Sequence, residues 1–220
     1  MEPRIVAFRH VPNEPLGYFE MILNEHKIPF AYINLYETNE IPRMISATHL
    51  IILGGPMSVN DEDEFPWLIQ EKELIRRSVK TDQKVLGICL GAQLIASAYG
   101  AKVFRFVNET GWHMLNRDSD AMGIFSCFPN QFPVFQLHSE TFEVPYGGRL
   151  LAYGNDVRNQ AFSCRNALGL QFHLELTDEI IKNWSRALRT HQQSKIARDT
   201  PHFLAESNRL CRMVAEDFIR

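Results

Sequence analysis

The sequence predicts an α/β fold: an open, mostly parallel twisted sheet with helices on both faces, extended by additional antiparallel strands. Three observations point there. Short apolar runs alternate with amphipathic stretches through the first half of the chain, which is the pattern of strand–helix–strand units. The second half is broken into shorter, turn-rich, β-like segments. A chain of 220 residues, 45% of them apolar, has enough material to cover both faces of such a sheet.

Taken in order, Ile5-Val6-Ala7-Phe8 reads as the first strand. Leu16 to His26 reads as a helix, with Leu16, Phe19, Ile22 and Leu23 on one side. Phe30-Ala31-Tyr32-Ile33 and His49-Leu50-Ile51-Ile52-Leu53 are strands, the latter closed by Gly54-Gly55-Pro56. Glu64 to Val79 is a charged amphipathic helix, Lys84 to Ile88 a buried strand, and Leu94 to Tyr99 a helix ended by Gly100. Beyond it, the segments Lys102–Phe106, Ala121–Phe125, Phe132–Phe135, Leu150–Tyr153 and Ala161–Cys164 are expected to add antiparallel strands. Thr177 to Leu188 is a helix with Thr177 as N-cap and Asp178 and Glu179 in its first turn. A last helix is expected from about Pro201 to Phe218, carrying Phe203, Leu210, Val214 and Phe218. The polar residues Thr190 to Thr200 read as a flexible connection. Residues 1–190 are thus expected to form one domain, and 191–220 a C-terminal helical extension of it.

Composition narrows the function. The net charge is −3 and no basic block exceeds a pair such as Arg76-Arg77, which argues against nucleic acid as a partner. Cys89, Cys127, Cys164 and Cys211 are widely spaced, without C-x-x-C. That offers neither a zinc site nor a disulfide framework, so reduced thiols and a cytoplasmic location are expected. Met1-Glu2-Pro3-Arg4 precedes only a short strand, so neither a signal peptide nor a membrane anchor is expected there.

The chemistry is concentrated at Gly87-Ile88-Cys89-Leu90-Gly91-Ala92-Gln93. A cysteine flanked by glycines two residues away on each side, between a strand and a helix, matches the sharp elbow that lifts a nucleophile above a sheet edge. Free N–H groups at the start of the following helix favour thiolate there. A thiolate needs an acid–base partner, and histidine suits that work near neutral pH. In Gln171-Phe172-His173-Leu174-Glu175, an extended chain puts His173 and Glu175 on one face and Leu174 on the other. A carboxylate beside the imidazole fixes its tautomer and stabilises the imidazolium. His138, in a segment expected to be a loop, is the rival base, better read as solvated or as a substrate wall. The N–H of Leu90 follows the nucleophile directly, and Gly55 ends a neighbouring strand. Both are candidate donors to an oxyanion.

Gly54-Gly55-Pro56-Met57-Ser58-Val59, the Cys89 elbow and Gln171–Glu175, in that order and spacing, resemble class I, triad-type glutamine amidotransferases. The likeness is to stand-alone members related to the amidotransferase part of GMP synthase and runs from about Ile5 to about Leu188. It implies a flavodoxin-like sheet, with Cys89, His173 and Glu175 as nucleophile, base and orienting acid. It further implies Gly55 and Leu90 as oxyanion donors, with Gln93, His138 and Ser139 lining a glutamine pocket. Leu174 departs from the proline that many members carry between the catalytic His and Glu.

The expected activity is hydrolysis of a γ-glutamyl amide through a Cys89 thioester, releasing ammonia or an amine, with no metal or organic cofactor. Glutamine or another γ-glutamyl compound is the expected substrate, and a separate synthetase is a candidate acceptor of ammonia, since no synthetase segment follows. A γ-glutamyl peptidase and a non-enzymatic regulatory binding module are the alternatives.

Overall fold

The computed structural model describes residues 2–220. Five strands form a parallel core: β1 (Ile5–Arg9), β2 (Phe30–Asn34), β3 (His49–Ile52), β4 (Lys84–Ile88) and β9 (Ala167–Leu170). Four more continue the sheet in antiparallel fashion: β5 (Val103–Arg117), β6 (Gln131–Phe142), β7 (Arg149–Tyr153) and β8 (Asn159–Cys164). The sheet order is β2-β1-β3-β4-β9-β8-β7-β5-β6. The fold class read from the sequence is the one observed.

Strand alternation divides the core between two faces. Ile5, Ala7, Ile51, Leu86 and Ile88 point to one side, where Phe19, Ile22 and Leu23 of α1 (Tyr18–Glu25) and Leu210, Val214 and Phe218 of α6 (Thr190–Phe218) cover them. Phe8, Leu50, Ile52 and Val85 point to the other, under Leu68 and Ile75 of α3 (Trp67–Lys80) and Leu94 and Ile95 of α4 (Leu90–Ala98). A short α2 (Leu35–Thr38) follows β2. A third cluster, Trp112, Phe135, Leu176, Ile180, Trp184 and Ile196, seats α5 (Asp178–Ser185) against the long β5–β6 hairpin.

Several expectations are corrected. The segment Ala121–Phe125 is not a strand: Gly123–Cys127 forms a 3-10 turn, closed by the Ser126 hydroxyl donating to the Gly123 carbonyl and by stacking of Phe125 on Phe128. The charged helix begins at Trp67 rather than Glu64, because Pro66 disfavours helical geometry in the residue before it. Residues 190–200 are not a flexible connection but the first turns of α6. Gln192 and Arg189 form a reciprocal cap at its start, Ile196 is buried, and the Thr200 hydroxyl accepts from Trp112 Nε1 at 3.0 Å. Polarity misled because one apolar residue and one buried hydroxyl suffice to dock this stretch. Thr177 caps α5 as expected, accepting from the Ile180 N–H at 3.3 Å, an interaction worth about 1 kcal/mol.

Candidate functional site

The site is built where β4 ends. Cys89 takes φ 52° and ψ −106°, a conformation that side-chain-bearing residues rarely adopt and that stores about 1–3 kcal/mol. Its surroundings over-determine it. The Cys89 N–H donates to the Leu170 carbonyl of β9 at 2.7 Å, and its carbonyl accepts from Gln93 at 3.1 Å. Gly87 and Gly91 pack so closely that a Cβ on Gly87 would collide with the Gly91 backbone, and one on Gly91 with the Ile52 carbonyl. Helix α4 starts at Leu90, directly after the cysteine and earlier than the apolar run suggested. Its first, intrahelically unpaired N–H groups therefore begin at the residue after the cysteine.

The His173 backbone leaves β9 but stays extended, pairing in an isolated bridge with Phe135 of β6. His173 N–H donates to the Phe135 carbonyl at 2.9 Å. That geometry throws His173 and Glu175 to one side, where His173 Nδ1 meets Glu175 Oε1 at 2.7 Å, and sends Leu174 into the core opposite. The Cys89 thiol is close enough to raise the imidazole pKa, while its own hydrogen bonds run to the Leu137 carbonyl at 4.0 Å and from Gln171 Nε2 at 3.7 Å. Burial pulls the imidazole pKa down, but the Glu175 carboxylate and the Cys89 thiol outweigh it, and the ring is held well above the ordinary histidine value. Trp184 packs edge-on against the ring, centroids 4.9 Å apart, and its indole N–H is tied to the Asn13 carbonyl. The structure thus buries Cys89, His173 and Glu175 close together, with Leu174, between the last two, turned into the core.

In front of the sulfur lies a cavity of about 600 Å³ lined by Gly55, Cys89, Gln93, His138 and Ser139 among others. These are all residues singled out from the sequence. Leu90 contributes its backbone at the elbow while its side chain is buried. Gln93 is tied down, donating to Gln171 Oε1 at 3.2 Å and to the Glu140 carbonyl at 3.3 Å. Arg105, Asp61 and Glu140 add charge to the rim. Among the described residues no group of three or more metal-ligating side chains is found.

His138 corrects the sequence reading most clearly. It lies within strand β6 rather than in a loop, and its side chain is buried. Its Nε2 faces Glu109 Oε2 at 3.0 Å and its Nδ1 faces the Glu140 carbonyl at 3.0 Å. Both ring nitrogens are engaged within the hairpin.

Three neighbours escaped the sequence reading. Gln171 donates to the Cys89 sulfur at 3.7 Å and accepts from Gln93. Glu109 anchors His138. Glu14 lies over Gly54, where any side chain would meet its carboxylate and the His173 ring. Burial raises the Glu14 pKa, His173 lowers it, and Glu175 raises it again. Only Gln171 carried a signal, two residues before His173 and so on the same face of an extended chain.

A strained thiol at a strand–helix elbow of a mostly parallel sheet, beside a buried imidazole–carboxylate pair, gives the chain an α/β fold with a candidate thiol site. The family model of class-I glutamine amidotransferases matches residues 18–183, and the chain belongs to that family. A crystal structure of a glutamine amidotransferase from Thermotoga maritima superposes with a TM-score of 0.86 at 31% identity, over 100% of this chain and 99% of that one. A glutamine-hydrolyzing GMP synthase subunit of Saccharolobus solfataricus is 37% identical over 145 residues, 61% of this chain and 73% of the relative. The GMP synthase of Borrelia garinii subsp. bavariensis is 32% identical over 143 residues, 61% of this chain but 26% of that much longer relative. No helix among the described residues is long and apolar enough to cross a membrane.

Proposed function

We propose that the chain hydrolyses a γ-glutamyl amide, with Cys89 as nucleophile, His173 as proton carrier and Glu175 as the group that orients it. The observation that carries this reading is the buried His173 ring, hydrogen-bonded to the Glu175 carboxylate at 2.7 Å and near enough to the Cys89 thiol for the thiol to raise its pKa. The Cys89 thiolate adds to the γ-carbonyl carbon, and negative charge moves onto the carbonyl oxygen against the N–H groups of Leu90 and Gly55. The imidazolium of His173 gives its proton to the leaving nitrogen as the C–N bond breaks. A γ-glutamyl thioester and a free amine, or ammonia, result. Water then adds to the thioester, His173 takes its proton, and glutamate leaves with the thiolate restored. Gln93, His138 and Ser139 wall the glutamyl group. Residues 191–220 belong to the same domain, since α6 packs on α1 and on the β5–β6 hairpin.

The test is a glutamine-mimicking chloroketone followed by peptide mapping. Label on Cys89, with activity lost in proportion, is the expected result. Label on Cys127, Cys164 or Cys211 with activity retained would overturn the assignment.

One observation favours the larger leaving group. The cavity, at about 600 Å³, falls in the size range of sites that enclose a drug-sized ligand, roughly 300–1,000 Å³. Its lining also carries Arg105, Asp61 and Glu140, charges that can meet the α-carboxylate and α-ammonium of a glutamyl group. A γ-glutamyl peptide or conjugate fits that room, and transfer of ammonia to a separate synthetase does not use it. The ratio of kcat/KM for a γ-glutamyl dipeptide to that for glutamine measures the choice.

A further inference from the structure

A second buried histidine–glutamate pair lies on the far side of the Gly54–Gly55 turn from the thiol. His10 follows the last residue of β1, and Glu71 sits on the buried face of α3. Both are almost entirely inaccessible, and Trp67, one turn before Glu71, stacks on the His10 ring with centroids 5.4 Å apart. His10 Nε2 is 3.2 Å from each Glu71 carboxylate oxygen, and its Nδ1 is 2.9 Å from the Gly54 carbonyl oxygen. A carbonyl can only accept, and so can an ionised carboxylate. Nδ1 therefore carries a hydrogen toward the Gly54 carbonyl, and Nε2 faces the Glu71 carboxylate. Burial works against a charge on the ring, while Glu71 and the Gly54 carbonyl favour it, and its pKa is raised.

The carbonyl of Gly54 and the N–H of Gly55 belong to one peptide unit. No cis peptide occurs among the described residues, and in a trans peptide these two groups point in opposite directions within one rigid plane. Holding the oxygen from one side fixes where the N–H points on the other. Gly55 lines the same cavity as Cys89, and a Cβ on it would crowd the Leu90 and His10 side chains. We propose that His10 is a positioning residue of the oxyanion site: its Nδ1–H clamps the Gly54 carbonyl and so aims the Gly55 N–H into the space before the Cys89 sulfur, while Glu71 keeps the ring protonated and oriented. This rests on the reading of Gly55 as an oxyanion donor. It gives a role to a carboxylate on the apolar stripe of a helix that the triad chemistry does not use.

The test separates thiol reactivity from oxyanion stabilisation. The variant His10→Phe/Glu71→Leu keeps a ring against Trp67 and leaves no orphaned carboxylate. Glu71→Gln keeps a polar partner for Nε2, with Nδ1–H still on the carbonyl. Single-turnover acylation by a γ-glutamyl anilide is compared with alkylation of Cys89 by iodoacetamide, which needs the thiolate but develops no oxyanion. In the double variant, acylation should fall roughly 10- to 100-fold with KM little changed and alkylation unchanged, and Glu71→Gln should recover most of the lost rate. Equal losses in acylation and alkylation, or no loss of acylation, would overturn the proposal. If the wild-type chain alkylates normally but acylates with no γ-glutamyl compound, the reading of the activity fails instead. The clamp is then decided by the Gly55 amide resonance in 15N-labelled protein, which should move and exchange faster with solvent in the double variant. An unchanged resonance would overturn it.

Discussion

The elbow end of the parallel core and the β5–β6 hairpin each bury a histidine against a glutamate, at 2.7 Å for His173–Glu175 and 3.0 Å for His138–Glu109. The pairs are chemically the same, yet only one has a free hand. His173 spends one nitrogen on its carboxylate and keeps the other free of any protein acceptor, with the Cys89 thiol close enough to raise its pKa. His138 spends both on acceptors of its own hairpin, and Glu109 is further held by Gln160 at 2.7 Å. On the proposed reading, the neighbouring thiol, not the pair, separates His173 from a structural cross-link.

The largest effect that could break this contrast is loss of the first pair. Cys89→Ser and His173→Ala should each lower single-turnover acyl-enzyme formation by about 10⁴-fold or more, and an intermediate that still accumulates in His173→Ala would erase the distinction. Next, Glu175→Gln should retain the fold and thermal midpoint closely enough to purify, yet lose about 10³- to 10⁴-fold in acylation, because an amide cannot stabilise imidazolium. Stopped-flow acylation measures it. His138→Gln is the matched change in the other region. It should raise KM by roughly tenfold or less with kcat little affected, and a collapse of kcat equal to that of His173→Ala would make the two histidines equivalent.

The smallest effect comes from a histidine with no carboxylate at all. His49 is buried edge-on to Phe218 of α6, its Nε2 unpaired. Burial, with Arg4 and Lys84 nearby, lowers its pKa to about 4. The unfolded chain, with an ordinary histidine near 6.5, binds more protons between these values. Stability at this site is therefore complete above pH 6.5 and is lost as pH falls toward 4. The thermal midpoint of the wild type should drop over that window more steeply than that of His49→Leu, and parallel curves would remove His49 as a cause.

How far the sequence reached follows from the same contrast. Cys89, His173 and Glu175 were legible because each announces itself locally: a glycine-framed cysteine, and two polar residues at the spacing of one strand face. The parallel core was legible for the same reason, as apolar runs punctuated by turns. Glu109 and Glu71 announce little, since each meets its histidine from another element tens of residues away in sequence, and Glu14 reaches Gly54 from an element distant in sequence. Glu71 left one trace, a carboxylate between Leu68 and Ile75 on the apolar stripe of α3. His138 was read as loop because Gln136-Leu137-His138-Ser139 alternates too weakly to mark a strand that is held by pairing with β5 along its length. Residues 190–200 were misread because helix formation there is driven by packing on Trp112 rather than by their own pattern.

The indoles beside the imidazoles carry a consequence for the bench. Of three tryptophans in the chain, Trp184 lies edge-on to His173 and Trp67 stacks on His10. A protonated imidazole quenches an adjacent indole's emission, so each ring's charge is written into the light that its neighbour gives off. With Trp112 and Trp67 replaced by phenylalanine, the emission of Trp184 becomes an unlabelled optical record of the His173 proton, legible during a single turnover and without any chromogenic substrate.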